Sequence, residues 1–476
     1  MSHYETAAKD RISFSEKAAY GTGTLVLNLL PASLALFAFF LITAFGIDPV
    51  LAGLLVGLPR LFDALTDPIM GFITDNTKSR WGRRRPYIVV GAILSGSCFA
   101  LLWQLDPENS QDYTFWYFLI LSMAFTIGNT MFATPFVGLG YEMTSDYKER
   151  TRLMAASQFM GQIAWMIVPW FWVMIADPDL FENQAQGVRQ LALYISGICI
   201  ILGIVPGLFC KGIDNSNIEN RAEISFRMIG SNLMGVFRSI IQTFKNAAFV
   251  RLCGATFLVF NGFQLVSSFA FFIIVFHMFN GDYAATGSWP AWFGTMSAFA
   301  TAFMVIPVVS WMANKWGKRN AFIISTLISI VGYTLKWYGF NPENPWMIFM
   351  PIPLMSFGIG GLFTLMLSMT ADVCDLDELK NGMPRKEGTF AAIYWLMVKL
   401  GQALAIILSG IVLKYVGFDA GNATQTVETM TNLRIADIII PAGTAALAIL
   451  VMWKYDISEE RAHLIKEKLI ERRGEI

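Results

Sequence analysis

The amino-acid sequence predicts an all-α membrane protein: twelve transmembrane helices in two pseudo-symmetric six-helix bundles, with both termini cytoplasmic. Three observations predict this. Apolar runs of spanning length recur along the chain, basic residues crowd into alternate loops, and the second half echoes the first. Composition agrees, since 55% of the 476 residues are hydrophobic and only 15% are charged. An ordinary soluble domain carries about a quarter charged residues. The shortfall, together with 39 Phe and 14 Trp, makes lipid part of the solvent. Net charge is zero, so no global basic field points to nucleic acid.

A bilayer core about 30 Å thick needs roughly 20 apolar residues per helix. Twelve segments qualify, near 17–45, 50–75, 87–105, 113–141, 153–175, 190–212, 247–278, 288–312, 320–340, 346–370, 389–416 and 432–453. Backbone facing lipid must satisfy its own hydrogen bonds, so each is expected to be a helix. This divides the chain into a tail (1–16), a six-helix bundle (17–212), a polar linker (213–246), a second bundle (247–453) and a charged tail (454–476). The first sixteen residues hold no apolar core of a signal peptide and read as a cytoplasmic tail.

Orientation follows from Lys and Arg. One set of loops holds Lys78, Arg80, Arg83, Arg84 and Arg85, then Lys148, Arg150 and Arg152, then Lys315, Lys318 and Arg319, then Lys380, Arg385 and Lys386. The opposite loops hold Arg189 alone. The positive-inside rule then places both termini in the cytoplasm.

The halves repeat. Trp81-Gly82-Arg83-Arg84 and Trp316-Gly317-Lys318-Arg319 share an offset with Asp106-Pro107-Glu108-Asn109 and Asn341-Pro342-Glu343-Asn344. Met143-Thr144-Ser145-Asp146 and Met369-Thr370-Ala371-Asp372 form a third echo at a slightly shorter offset. Duplicated halves of this kind hold substrate near the membrane midplane, where the repeats meet.

Ionisable groups inside membrane helices cost roughly 2.5–3.5 kcal/mol each on insertion scales, so they mark function. The second helix carries Arg60, Asp63 and Asp67 at steps of three and four, on one face. Lys399 lies within the eleventh. Asp63 and Asp67 read as the site of a coupling cation, Na⁺ or H⁺, with Thr66 and Thr130 able to add hydroxyl oxygens. The competing reading is a salt-bridge cluster that locks one conformation. The basic run 78–85 is either a topology determinant or a cytoplasmic gate, in which Arg80 or Arg83 pairs with Glu142, Asp146 or Asp372.

Amides and aromatics suited to sugar hydroxyls and ring faces are Asn129, Gln162, Trp165, Asn261, Gln264, Tyr394, Trp395 and Gln402, each of which can equally be ordinary packing. Lys336, near the outer end of the ninth helix, is expected to snorkel to the headgroups. His277, near a helix end, reads as structural rather than as a proton relay. The five cysteines lack metal or disulfide spacing and read as packed thiols.

The stretches RLFDALTDPIMGFITDNTKSRWGRRRPY, MTADVCDLDELKNGMPRKEGTF and YWLMVKLG resemble the glycoside–pentoside–hexuronide:cation symporter family over nearly the whole chain. The resemblance implies a major facilitator fold and symport of a sugar or glycoside with Na⁺, H⁺ or Li⁺. Against its melibiose-permease branch, Asp63, Thr66, Asp67 and Thr130 fall on cation-site positions, and Lys399 on the lysine beside that site. The sugar positions depart: Asn28 and Ala133 replace aspartates, Val137 replaces a tryptophan and Gln158 an arginine. Two lost carboxylates remove repulsion towards an anion, which favours an acidic saccharide over melibiose. Arg60 and Lys399 are cations able to attract it, whereas Gln158 argues the other way.

The expected partners are a small saccharide and the bilayer, with no cofactor beyond the coupling cation, a monomer as the working unit and a bacterial inner membrane as the location. The rival transport readings are an uncoupled sugar facilitator and a sodium-coupled lysophospholipid carrier. No nucleophile–base pair, metal motif or catalytic domain supports an enzyme, and no filter-like loop supports a channel.

Overall fold

A computed structural model describes residues 11–143, 147–211, 243–381 and 387–473, with isolated positions between 230 and 241. The described residues are helical and contain no strand. The chain divides into two units, Met1–Gly235 and Val236–Ile476.

The first unit contains α1 (Phe14–Thr43), α2 (Pro49–Asn76), α3 (Arg85–Leu102), α4 (Gln111–Glu142), α5 (Tyr147–Ala176) and α6 (Gln184–Phe209). Four of its helices, α1, α2, α4 and α6, begin where a small polar residue caps an orphan N–H group. Ser13 and Glu16 form a reciprocal capping box before α1. Asp48 accepts from Val50 N at 2.9 Å, with Pro49 as the first helical residue of α2. The core of the unit is aromatic, with Phe37 and Phe118 both edge-on to Trp103 at 5.2 and 5.3 Å.

The second unit contains α7 (Ala247–Phe272), which continues as a π-helical segment Ile273–Met278, and a short α8 (Tyr283–Thr286). Next come α9 (Trp289–Phe299), a second π segment (Ala300–Val305) and α10 (Ile306–Trp316), followed by α11 (Lys318–Gly339). A 3₁₀ turn (Pro345–Phe349) leads to α12 (Ile352–Asn381), α13 (Glu387–Tyr415), α14 (Val427–Trp453) and α15 (Glu459–Arg473).

Eleven helices among the described residues are long and apolar enough to cross a membrane. The apolar part of α5, Met160–Ala176, is shorter. The chain is therefore a multi-pass membrane protein. The tenth predicted run, 346–370, is longer in the structure: α12 continues to Asn381, carrying its polar tail ADVCDLDELKN past the apolar stretch. The charged tail is not loose. Ile465 and Leu469 of α15 join the buried core of the second unit beside Val373 and Cys374 of α12.

The sequence echoes adopt matching backbone. Gly82 and Gly317 both have positive φ, +86° and +78°, a conformation that glycine adopts without strain. One basic residue at or just after each motif then reaches a helix C-terminus, where a cation suits the dipole. Arg85 donates to the Gly207 and Leu208 carbonyls at the end of α6 at 2.6 and 2.5 Å. Arg319 donates to the Trp453 carbonyl at the end of α14. Close approaches match too: a Cβ on Gly91 of α3 would lie 2.4 Å from Phe132 N of α4, and one on Gly332 of α11 would lie 2.2 Å from Met355 N of α12.

All five cysteines are buried thiols. Beyond the end of α6, burial pushes the Cys210 thiol up to about 12, which keeps it protonated and unreactive.

Candidate functional site

The polar centre of the first unit lies between α2 and α4, which pack against each other. Asp63 is 5% exposed, deep in this helix pair. Thr130 Oγ1 donates to Asp63 Oδ1 at 2.7 Å. Thr66 Oγ1 lies 3.1 Å from Thr130 Oγ1 and 3.2 Å from the Asp63 carbonyl, to which it donates. One turn further on, Thr134 Oγ1 donates to Asp67 Oδ1 at 3.3 Å. The arrangement is a ladder: two carboxylates one turn apart on α2 face two hydroxyls one turn apart on α4, both pairs 67 residues apart in sequence.

The sequence reading named Asp63, Thr66, Asp67 and Thr130 for this cluster, and the structure brings them together. It missed Thr134. The signal was present, since Thr134 follows Thr130 by the same four residues that separate Asp67 from Asp63. Arg60, one turn before Asp63 and partly buried, is an electrostatic neighbour of that carboxylate. The oxygens grouped here are hard donors, able to hold a small hard cation or, on a carboxylate, a proton.

A second polar group in the same unit joins α1 and α5. Asn28 Nδ2 donates to the Thr24 carbonyl at 2.9 Å, and its Oδ1 accepts from Trp165 Nε1 at 3.2 Å. Trp165 is 47% exposed, so one face of the indole stays open while its N–H is engaged. Gln162 on the turn before is exposed, and Asn129 on α4 is half-buried. The side chain of Gln158 lies outside the described residues.

Residues 19–459 match the family described as MFS/sugar transport protein. The chain belongs to that family. As an MFS/sugar transport protein it moves a solute across a membrane and is not an enzyme. The chain is 23% identical to a glucuronide carrier protein homolog of Escherichia coli strain K12, covering 97% of this chain and 96% of the relative. It is equally 23% identical to a sodium-dependent lysophosphatidylcholine symporter of Danio rerio, covering 99% and 92%. Among solved structures, a D-xylose–proton symporter shares the fold with a TM-score of 0.61 at 16% identity, over 94% of this chain and 98% of that one.

In the second unit of this MFS/sugar transport protein, the proposed cavity residues differ in exposure. Trp395 on α13 is 46% exposed and stacks on Phe363 of α12 at 6.2 Å. Gln264, Lys399 and Gln402 are half-buried. Asn261 and Tyr394 are packed inside the unit instead. Asn261 Nδ2 donates to the Gly401 carbonyl at 3.2 Å and ties α7 to α13, while Tyr394 is fully buried. Of the gate residues, Asp372 pairs with Lys318 of its own unit at 2.7 Å. In the repeat these two are the counterparts of Asp146 and Arg83. Asp146 and the side chain of Glu142 lie outside the described residues; Arg80 and Arg83 lie in the loop after α2.

One expectation is overturned. Lys336 does not snorkel: it is fully buried, 2.7 Å from Asp437 Oδ2, and it also donates to the Asp437 carbonyl at 2.7 Å. The reason is the partner. A carboxylate and a carbonyl on α14 satisfy the ammonium inside the unit, where a lysine without them would reach for water. Asp437 was missed because it is a single acid in an apolar run, and pairing between helices leaves no spacing to read.

Proposed function

We propose that this chain is a cation-coupled symporter of a saccharide, acting by alternating access through twelve spans with both termini cytoplasmic. The observation that carries the proposal is the carboxylate–hydroxyl ladder between α2 and α4. Buried carboxylates without a cation are costly. A cation bound at Asp63, with Asp67, Thr66 and Thr130 around it, neutralises that charge and lowers the cost of the conformation that accepts substrate.

Na⁺ is favoured over H⁺ as the ligand of the full cluster. A proton needs one carboxylate oxygen, whereas the Thr130 hydroxyl, 2.7 Å from Asp63, and the Thr66 hydroxyl, 3.1 Å from that of Thr130, add oxygens that a metal cation uses. Calorimetric titration of purified protein with Na⁺ at fixed pH tests this. Saturable Na⁺ binding that Asp63→Asn abolishes is expected; binding unchanged in that variant would reject the site.

The saccharide is expected against Asn28, Gln162 and Trp165 of the first unit. An exposed indole beside amides suits a sugar ring face and its hydroxyls. Asn28 brings no negative charge to this group, which favours an acidic sugar such as a uronide, and similarity to a glucuronide carrier homolog supports that lean. The chain also shares 23% identity with a lysophosphatidylcholine symporter, and lipid carriage is the second reading. Competition for uptake by acidic saccharides, neutral saccharides and lysophosphatidylcholine separates them, and uptake of neutral sugars alone would sink the acidic assignment. The proposed setting is a bacterial inner membrane, with a monomer as the working unit.

A further inference from the structure

Asn28 of α1 is held at both ends of its amide. Nδ2 donates to the Thr24 carbonyl at 2.9 Å, and Oδ1 accepts from Trp165 Nε1 of α5 at 3.2 Å. A backbone carbonyl only accepts and an indole N–H only donates, so the amide can stand one way round. Turned over, it would set oxygen against oxygen and N–H against N–H. An amide nitrogen carries two hydrogens, and Thr24 takes one. The other has no acceptor among the described residues, and Asn28 is only half-buried.

The facing helix leaves room for this one orientation. Gly161 lies four residues before Trp165 on the same side of α5. A Cβ on Gly161 would stand 3.1 Å from Asn28 Nδ2, tighter than ordinary van der Waals contact, so the amide nitrogen would have to give way by a few tenths of an ångström. One turn earlier, Thr24 Oγ1 and Ser157 Oγ share a buried hydrogen bond at 2.7 Å, which fixes α1 against α5 at this level. An interhelical amide that serves packing alone is complete once its partners are found. This one is locked in place and still has an N–H to give, which is the condition of a donor pre-organised for a ligand.

We propose that Trp165 and Gly161 are positioning residues that fix Asn28 as a hydrogen-bond donor, so that this position selects a saccharide by an acceptor oxygen. Oδ1 is already engaged by the indole, and the second hydrogen of Nδ2 is what the protein leaves for substrate. A sugar hydroxyl can take that hydrogen, but a carboxylate takes it in a charge-assisted bond roughly twice as strong. Resting on the acidic-saccharide reading, the oxygen is that of a uronide carboxylate. Trp165 thereby has two separable parts: its N–H acts through Asn28, while its exposed ring face stays open to the sugar.

The test is isothermal titration of detergent-purified, full-length protein with methyl β-D-glucuronide and methyl β-D-glucoside, which differ by a carboxylate in place of a hydroxymethyl group. Trp165→Phe keeps an aromatic face and deletes the N–H. It is expected to weaken glucuronide binding about fivefold in the parent, and less than about twofold once Asn28→Ala has removed the amide. Gly161→Ala is expected to weaken it about threefold in the parent and to be silent beside Asn28→Ala, where the added methyl no longer meets Nδ2. Asn28→Asp keeps an acceptor for the indole but exchanges the free donor for a negative charge. It is expected to weaken the glucuronide at least about tenfold and to leave the glucoside within about twofold. Should Trp165→Phe fail to fold, Gly161→Ala and Asn28→Asp decide. Equal losses with and without the amide would overturn the positioning roles, and so would unchanged glucuronide affinity in Asn28→Asp. Losses that depend on the amide but appear with the glucoside, in a parent that prefers it, would keep the positioning roles and remove the acidic-saccharide reading. A parent that prefers the glucuronide, with losses independent of the amide, would do the reverse, and binding of neither glycoside would overturn both.

Discussion

Thr130 donates its hydroxyl proton to Asp63, which means that a metal cation arriving at that carboxylate must turn the hydroxyl around so that it offers a lone pair. Thr130→Val removes that option while keeping shape. It is expected to weaken Na⁺ binding about tenfold, the scale of one lost interaction with a charged group, while H⁺-driven uptake persists. A Na⁺ titration followed by uptake under a pure pH gradient checks both halves. The buried Lys336–Asp437 pair makes a different prediction. Removing one partner strands the other charge, which costs about 3–5 kcal/mol, whereas replacing both with apolar groups of similar size costs little. Lys336→Met is therefore expected to lower the thermal midpoint sharply and Lys336→Met with Asp437→Leu to restore it; a double variant as unstable as the single one would contradict this. At this scale the sequence was legible where partners share a helix, as with Arg60, Asp63 and Asp67. Of the partners on another helix only Thr130 was named; Asp437 for Lys336 and Thr134 for Asp67 were not. Helical period relates residues along one helix and leaves contacts between helices undetermined.

Between elements, packing is set by small residues as much as by large ones. Without a hydrophobic drive between lipid-soluble helices, close backbone approach supplies the contact. Gly91 and Gly332 provide it at equivalent crossings of the two units. Gly91→Val and Gly332→Val each push a side chain into the backbone of the neighbouring helix, a change that overpacking prices at about 1–3 kcal/mol. Reduced folded yield by size-exclusion chromatography is expected from both, and normal yield from Gly197→Val, where nothing lies within 4 Å of a Cβ. The C-terminal helix makes a second case. α15 seats Ile465 and Leu469 at 3% and 4% exposure, so Ile465→Asp with Leu469→Asp is expected to release it and expose the tail to trypsin under conditions where the parent resists. The charged sequence of this tail reads as solvated because its five apolar residues, Ala462, Leu464, Ile465, Leu469 and Ile470, are outnumbered two to one by charged and polar ones. The repeats, by contrast, were visible at once, because a turn that needs glycine and a helix end that needs a cation restrict which residues can stand there.

For the whole molecule, apolar length and the placement of Lys and Arg made a polytopic helical membrane protein legible before any coordinates. Substrate identity was not, since amides and aromatics serve packing and sugar binding alike; Asn261 and Trp395 look the same in sequence, yet one is buried against a carbonyl and the other is half open. The central claim is that Asp63 and Asp67 couple a cation gradient to saccharide movement. Uptake by proteoliposomes of a panel of acidic oligosaccharides and neutral glycosides, under imposed Na⁺ and H⁺ gradients, tests it most directly, with Asp63→Asn and Asp67→Asn run beside the parent. The account predicts accumulation that requires a gradient in the parent and is lost in both variants, while equilibrium exchange or substrate binding survives. Uptake that ignores the gradients and is unchanged by either substitution would contradict it, leaving a facilitator in which the aspartates only hold helices together.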